Sequence, residues 1–102
     1  MKTLLLNWRQ RLKIVLTKEA KDSIRKIESY IGQTSKRAAK QTVITLLNKI
    51  TKQLPVYPQS ARPGKTADTR ELYFSDIPYC VIYTSDNKTI TILSIFHTAQ
   101  NR

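Results

Sequence analysis

The runs Thr69-Arg70-Glu71-Leu72-Tyr73-Phe74, Tyr79-Cys80-Val81-Ile82-Tyr83-Thr84 and Thr89-Ile90-Thr91-Ile92-Leu93-Ser94-Ile95-Phe96, ending at His97, decide the fold of this chain. Each is short and rich in β-branched and aromatic residues, which predicts three strands. Arg62-Pro63-Gly64 reads as the turn before them. Ser85-Asp86-Asn87-Lys88 joins the last two strands. Asp and Asn tolerate left-handed backbone, so this join is a hairpin turn. The last run first alternates and then becomes apolar on both faces, the pattern of a central strand.

Upstream, Lys13-Ile14-Val15-Leu16-Thr17 reads as a further strand, after which Thr17 caps a helix with Glu19 and Asp22 in its early turns. Ala20, Ile24, Ile27 and Ile31 form one helical face, and Gly32 is expected to end that helix. Ser35 caps a second helix with the stripe Ala39, Val43, Leu47, Ile50 and Leu54, and Pro55 and Pro58 stop it. So short a connection makes the helices an antiparallel hairpin. The expectation is an α+β fold in the order β-α-α-β-β-β, the hairpin packed on a small, mostly antiparallel sheet. The segment from Pro55 to Asp68 is expected to be an ordered surface connection.

At 102 residues the chain makes one domain able to bury a modest core. Its single cysteine, Cys80, cannot form an intramolecular disulfide and lies in an apolar run, so it reads as a buried, inert thiol suited to a reducing cytosol. No stretch approaches the roughly 20 apolar residues of a membrane span. The start, with only three successive leucines and no small-residue cleavage site, does not read as a signal peptide. Charge is the strongest bulk signal. Eighteen Lys and Arg against seven Asp and Glu give +11, and eleven of those cations fall between Lys2 and Lys40. Such a field points to an acidic partner.

Taken in order, the turn Arg62-Pro63-Gly64, the strand Thr69-Arg70-Glu71-Leu72, the strand Pro78-Tyr79-Cys80-Val81-Ile82-Tyr83 and the strand Ile92-Leu93 leading to His97 resemble the ParE/RelE superfamily of bacterial toxins, closer to its ParE branch. The resemblance runs from about Lys13 to Gln100. Family members usually begin near what is here Lys13, which makes residues 1–12 an N-terminal arm and 13–102 the toxin domain. The resemblance implies the toxin of a type II toxin–antitoxin module: a cytoplasmic protein that arrests growth by poisoning DNA gyrase. It also implies a cognate antitoxin that supplies an acidic or amphipathic segment. The RelE-like branch instead cuts messenger RNA on the ribosome, and many of its members carry Tyr-Arg-Leu-Val-Tyr on the equivalent strand. Here that run is Tyr79-Cys80-Val81-Ile82-Tyr83, and His97 is followed by Thr98 rather than a tyrosine. The expectation therefore leans to a binder rather than an enzyme. A ribosome-dependent endonuclease is the first rival and a plain basic nucleic-acid-binding protein the second.

RNA cleavage needs a base, a cation over the phosphate and a proton donor. The candidate set for such chemistry is His97, Arg70 and Lys65. A binder would draw on Arg62, Lys65 and Arg70 for a carboxylate or phosphate, on Tyr79 and Tyr83 for stacking, on His97, and on Trp8 in the arm as an anchor. The bland reading of His97 is a strand-end hydrogen bond, that of Arg70 a pair with Glu71 or a helix carboxylate, and that of the tyrosines core and rim packing. A lone histidine and two glycines outside any phosphate loop give no support to a metal or nucleotide cofactor.

Overall fold

A computed structural model describes residues 12–58, 61–66 and 68–99; Trp8 and all of the expected arm except Leu12 lie outside them. The elements are β1 (Lys13–Leu16), α1 (Lys18–Gly32), α2 (Lys36–Gln53), β2 (Arg62–Pro63), β3 (Arg70–Tyr73), β4 (Tyr79–Ser85) and β5 (Thr89–His97). The sheet order is β1-β5-β4-β3-β2, so the most apolar strand is indeed interior. β1 runs parallel to β5, and the other pairs are antiparallel. The α+β architecture is the expected one, with one strand added.

That strand is β2. Arg62 pairs with Glu71 and Pro63 with Arg70, so the expected turn is also a two-residue edge strand. Proline is tolerated at an edge because the missing donor would have faced solvent. Closure of the β2–β3 hairpin depends on Gly64. Its amide donates to the Thr69 carbonyl at 2.8 Å, and a Cβ there would lie 2.3 Å from Thr69 Oγ1.

Thr17 caps α1 as expected, its Oγ1 accepting from the Ala20 amide at 3.1 Å. The same hydroxyl lies 3.0 Å from the carbonyls of both Ile92 and Leu93, toward which it donates. Those carbonyls flank a β-bulge. Ile82 faces Ser94 but Tyr83 faces Ile92, so Leu93 is the extra residue on β5. A bulge switches which alternate residues face the core. This is why Ile90 and Ile92 are buried on one side of it and Ile95 on the other.

Gly32 is the last residue of α1, as expected, and Gln33 closes the helix with right-handed backbone. One local expectation is corrected. On α2, capped by Ser35 with the Ala38 amide 3.1 Å from its Oγ, the fully buried residue is Leu46, while Leu47 is half-buried and Ile44 is 51 % exposed. The stripe is therefore Ala39, Val43, Leu46, Ile50 and Leu54. Leu46, Ile50 and Leu54 meet Ala20, Leu72, Val81, Tyr83 and the β5 isoleucines in one core. Each fully buried aliphatic side chain there contributes about 1.5–3 kcal/mol.

Candidate functional site

The antiparallel register places Tyr79, the first residue of β4, directly opposite His97, the last of β5. The two rings meet edge to face, with centroids 5.3 Å apart and planes at 83°. His97 Nδ1 accepts the Ala99 amide at 3.0 Å, which leaves Nε2 to carry the proton of the neutral ring. The Thr98 amide closes the corner on the Pro78 carbonyl at 2.8 Å. His97 thus makes local bonds at the strand end and also forms part of the rim of a groove.

The groove, about 620 Å³, lies between α1 and the C-terminal half of β5, with Ser23, Lys26, Ile27 and Tyr30 on the helix side and Ile95, Phe96 and His97 on the sheet side. Ser23 ties the walls together: its Oγ donates to the Glu19 carbonyl at 2.9 Å and accepts the Ile95 amide at 3.3 Å. Tyr30 is 70 % exposed at one end. Sequence reasoning passed over Ser23, Lys26 and Tyr30. The available signal was an aromatic residue beside the Ile24-Ile27-Ile31 stripe rather than within it.

The second candidate region lies at the other margin of the sheet. Arg62 sits over the Tyr73 ring at 5.5 Å, and the Tyr73 hydroxyl donates to Glu71 Oε1 at 3.0 Å. Burial, followed by the bond to Glu71, raises the pKa of that phenol. Arg70 Nη1 donates to the Ala61 carbonyl at 2.8 Å. A carbonyl, rather than the expected carboxylate, therefore holds the guanidinium. Successive strand residues point to opposite faces, which keeps Arg70 and Glu71 apart. A cavity of about 500 Å³ beside Arg70 is lined by Pro63, Asp68, Thr69, Thr84 and Ser85. Lys65 is exposed in the hairpin loop just past β2.

The fold does not bring His97 and Arg70 together. Arg70 is level with Tyr83 on β3, whereas His97 is level with Tyr79 on β5. Four residues along the strand and two strand spacings across place their Cα atoms about 16 Å apart. Tyr83 is completely buried with its hydroxyl on the Pro58 carbonyl at 2.8 Å, and Tyr79 is nearly so; burial raises the pKa of both phenols. Tyr83 lies wholly beneath the surface, whereas Tyr79 contributes to the lining of the groove between α1 and β5. Cys80 is completely buried on β4. Among the described residues no cluster of three His, Cys, Asp or Glu could hold a metal, and no helix is long and apolar enough to cross a membrane.

Comparison with known proteins places this geometry in context. A sequence profile described as the ParE toxin of the type II toxin–antitoxin system parDE matches residues 14–102. A curated relative, the candidate toxin Y4kP of Sinorhizobium fredii, is 33 % identical over 90 residues, covering 88 % of this chain and 92 % of that protein. Among solved structures, a chain of a chromosomal ParDE system from P. aeruginosa superposes with a TM-score of 0.74 at 23 % identity, over 86 % of this chain and 97 % of that one. A chain of the RelBE2 toxin–antitoxin complex of Mycobacterium tuberculosis gives 0.65 at 17 % identity, over 88 % and 94 %. These likenesses show the same fold: two helices on a five-stranded mixed sheet.

Proposed function

The chain belongs to the ParE toxin family of type II toxin–antitoxin systems, and we propose that it acts by binding, engaging DNA gyrase and holding it, until its cognate antitoxin silences it. Cys80 carries this reading. It occupies the strand position where the RNA-cleaving branch of the superfamily keeps an arginine, and it is completely buried. A buried thiol offers no charge to a phosphate. The wide separation of His97 from Arg70 supports the same reading, because acid–base chemistry at one phosphate requires its groups within hydrogen-bond reach of the reacting atoms.

The antitoxin's site is the groove between α1 and β5. Ile27, Tyr30, Ile95 and Phe96 offer apolar area, and Lys26 stands beside them. An amphipathic segment carrying carboxylates would bury its apolar face there and satisfy the lysine at the rim. Ordering such a segment costs free energy that the buried area must offset. The solved relatives from P. aeruginosa and Mycobacterium tuberculosis come from toxin–antitoxin systems, which supports a partner of this kind.

The test is a supercoiling assay with purified gyrase, run beside a cleavage assay on translating ribosomes. The expected result is loss of supercoiling with accumulation of cleaved DNA, reversal of both by the antitoxin, and intact messenger RNA. Messenger RNA cut at the ribosomal A site with gyrase unaffected would assign the chain to the nuclease branch instead.

A further inference from the structure

The charge of +11 is divided unevenly. From Lys18 to Gln53 the two helices carry nine Lys and Arg against Glu19, Asp22 and Glu28, a net of +6. From residue 54 to 99 the four cations Arg62, Lys65, Arg70 and Lys88 face the four carboxylates Asp68, Glu71, Asp76 and Asp86, a net of zero. The segment carrying β2 to β5 is neutral, Lys13 on β1 adds one charge to the sheet, and the helical layer is strongly basic. Among the described residues the only ion pairs are Arg25 with Asp22 and Lys49 with Asp76. Lys18, Lys21, Lys36, Arg37 and Lys40 are all exposed.

Their placement is informative. Lys18, Lys21 and Arg25 are spaced three and four apart, which puts them on one side of α1 over about 10 Å. That length matches the axial rise of about three phosphates on one strand of a duplex. Lys36 and Arg37 stand in the first turn of α2, which contains no acidic residue. Cations there add to the positive end of the helix dipole instead of opposing it. The helix is locally less favourable for it, and the potential over that end is higher. Large exposed apolar side chains are scarce on the two helices, where only Tyr30 and Ile44 qualify. A peptide that folds on binding needs apolar area to offset its ordering. A rigid polyanion needs only the charges.

We infer that the solvent face of the helical hairpin docks on the phosphate backbone of double-stranded nucleic acid, without reading sequence and apart from the groove between α1 and β5. This holds whichever enzyme the toxin engages, so it stands or falls separately from the gyrase reading.

The test uses the full-length chain and a labelled mixed-sequence DNA duplex of about 24 base pairs, with affinity followed by anisotropy between about 50 and 200 mM salt. Two charge-neutralised pairs are compared: Arg37→Gln with Lys40→Gln on the hairpin, and Lys13→Gln with Lys88→Gln on the sheet side. Both change net charge equally, and thermal melts confirm that both fold. The hairpin pair should weaken binding on the order of tenfold at low salt and lower the slope of log K against log salt by about two, roughly 0.9 per lost contact. The sheet pair should stay within about twofold of the parent. Equal losses in both pairs, or none in the hairpin pair, would overturn the inference. So would a hairpin pair that keeps its duplex affinity but no longer binds the purified antitoxin, an outcome that gives the face to a protein partner.

Discussion

His97 stands edge-on against Tyr79 at 5.3 Å, each the terminal residue of its own strand. The contact fixes the imidazole from beneath, and the Ala99 amide on Nδ1 fixes it from the side. The only histidine is therefore built into the corner where the sheet ends and the groove begins. A side chain held in this way can shape a docking surface without taking part in chemistry.

Arg70 braces the connection between α2 and β2 through the Ala61 carbonyl. Removing it as Arg70→Ala should cost about 1–3 kcal/mol in urea unfolding, the range for a lost hydrogen bond to a charged group. Arg70→Lys should recover only part of this, because an ammonium lacks the planar fork. If the guanidinium also engages a carboxylate or phosphate of the target, target affinity measured on the folded fraction should fall by a further 1–3 kcal/mol or so.

Thr17 performs two tasks with one hydroxyl, capping α1 and holding the carbonyls on either side of the β5 bulge. Thr17→Ala should destabilise by about 2 kcal/mol, the upper end for a lost N-cap. Thr17→Ser keeps the hydroxyl and should stay within about 0.5 kcal/mol of the parent by the same denaturant measurement.

Strands, helices and caps were legible because each rests on local chemistry. Thr17, Ser35 and the Asp86-Asn87 turn announce themselves by residue type. What was hidden depends on distant pairing. Nothing in Arg62-Pro63 signals a strand until Glu71 and Arg70 lie beside it. Apolar residues of both parities on β5 are equally consistent with two buried faces and with a bulge at Leu93, and only the partner strand decides. The candidate site residues were named from the sequence without the distances between them, and the sheet register places His97 and Arg70 far apart. Tyr83 and Tyr79 could be read as stacking platforms or as core and rim packing, because an amphipathic aromatic reads the same whether it floors a surface or forms it.

The α2 stripe gives a direct test of that ambiguity. Val43-Ile44-Thr45-Leu46-Leu47 is apolar at four of five positions, so spacing alone fits two rotations of the helix. With Leu46 completely buried and Leu47 half-buried, Leu46→Ala should cost about 2–5 kcal/mol and Leu47→Ala clearly less. Chemical denaturation of the two variants orders them, and the reverse order would mean that the helix is rotated.

Asp86 gives the β4–β5 hairpin a pH dependence. Its Oδ1 accepts the Lys88 and Thr89 amides at 2.8 and 2.7 Å, and these bonds hold its carboxyl below the ordinary range. A depressed carboxyl stabilises the fold above its unfolded pKa of about 3.9, and that stabilisation is lost as pH falls through the lower folded value. Asp76, lowered chiefly by its hydrogen bond from Lys49, acts in the same window and direction. Stability of the parent should fall as pH drops below about 4. Asp86→Ala should be less stable at neutral pH and show a shallower acid loss; identical acid profiles for the two proteins would remove Asp86 from the account.

The central claim, that this toxin acts by binding rather than by catalysis at His97, is tested most directly by growth arrest on induction of His97→Ala without antitoxin, with thermal stability measured on the same protein. Binding predicts that arrest persists, since the substitution removes one ring contact and one local hydrogen bond, worth about 1 kcal/mol. A general acid or base would be worth on the order of a hundredfold or more in rate. A His97→Ala protein that is folded, soluble and harmless would contradict the account.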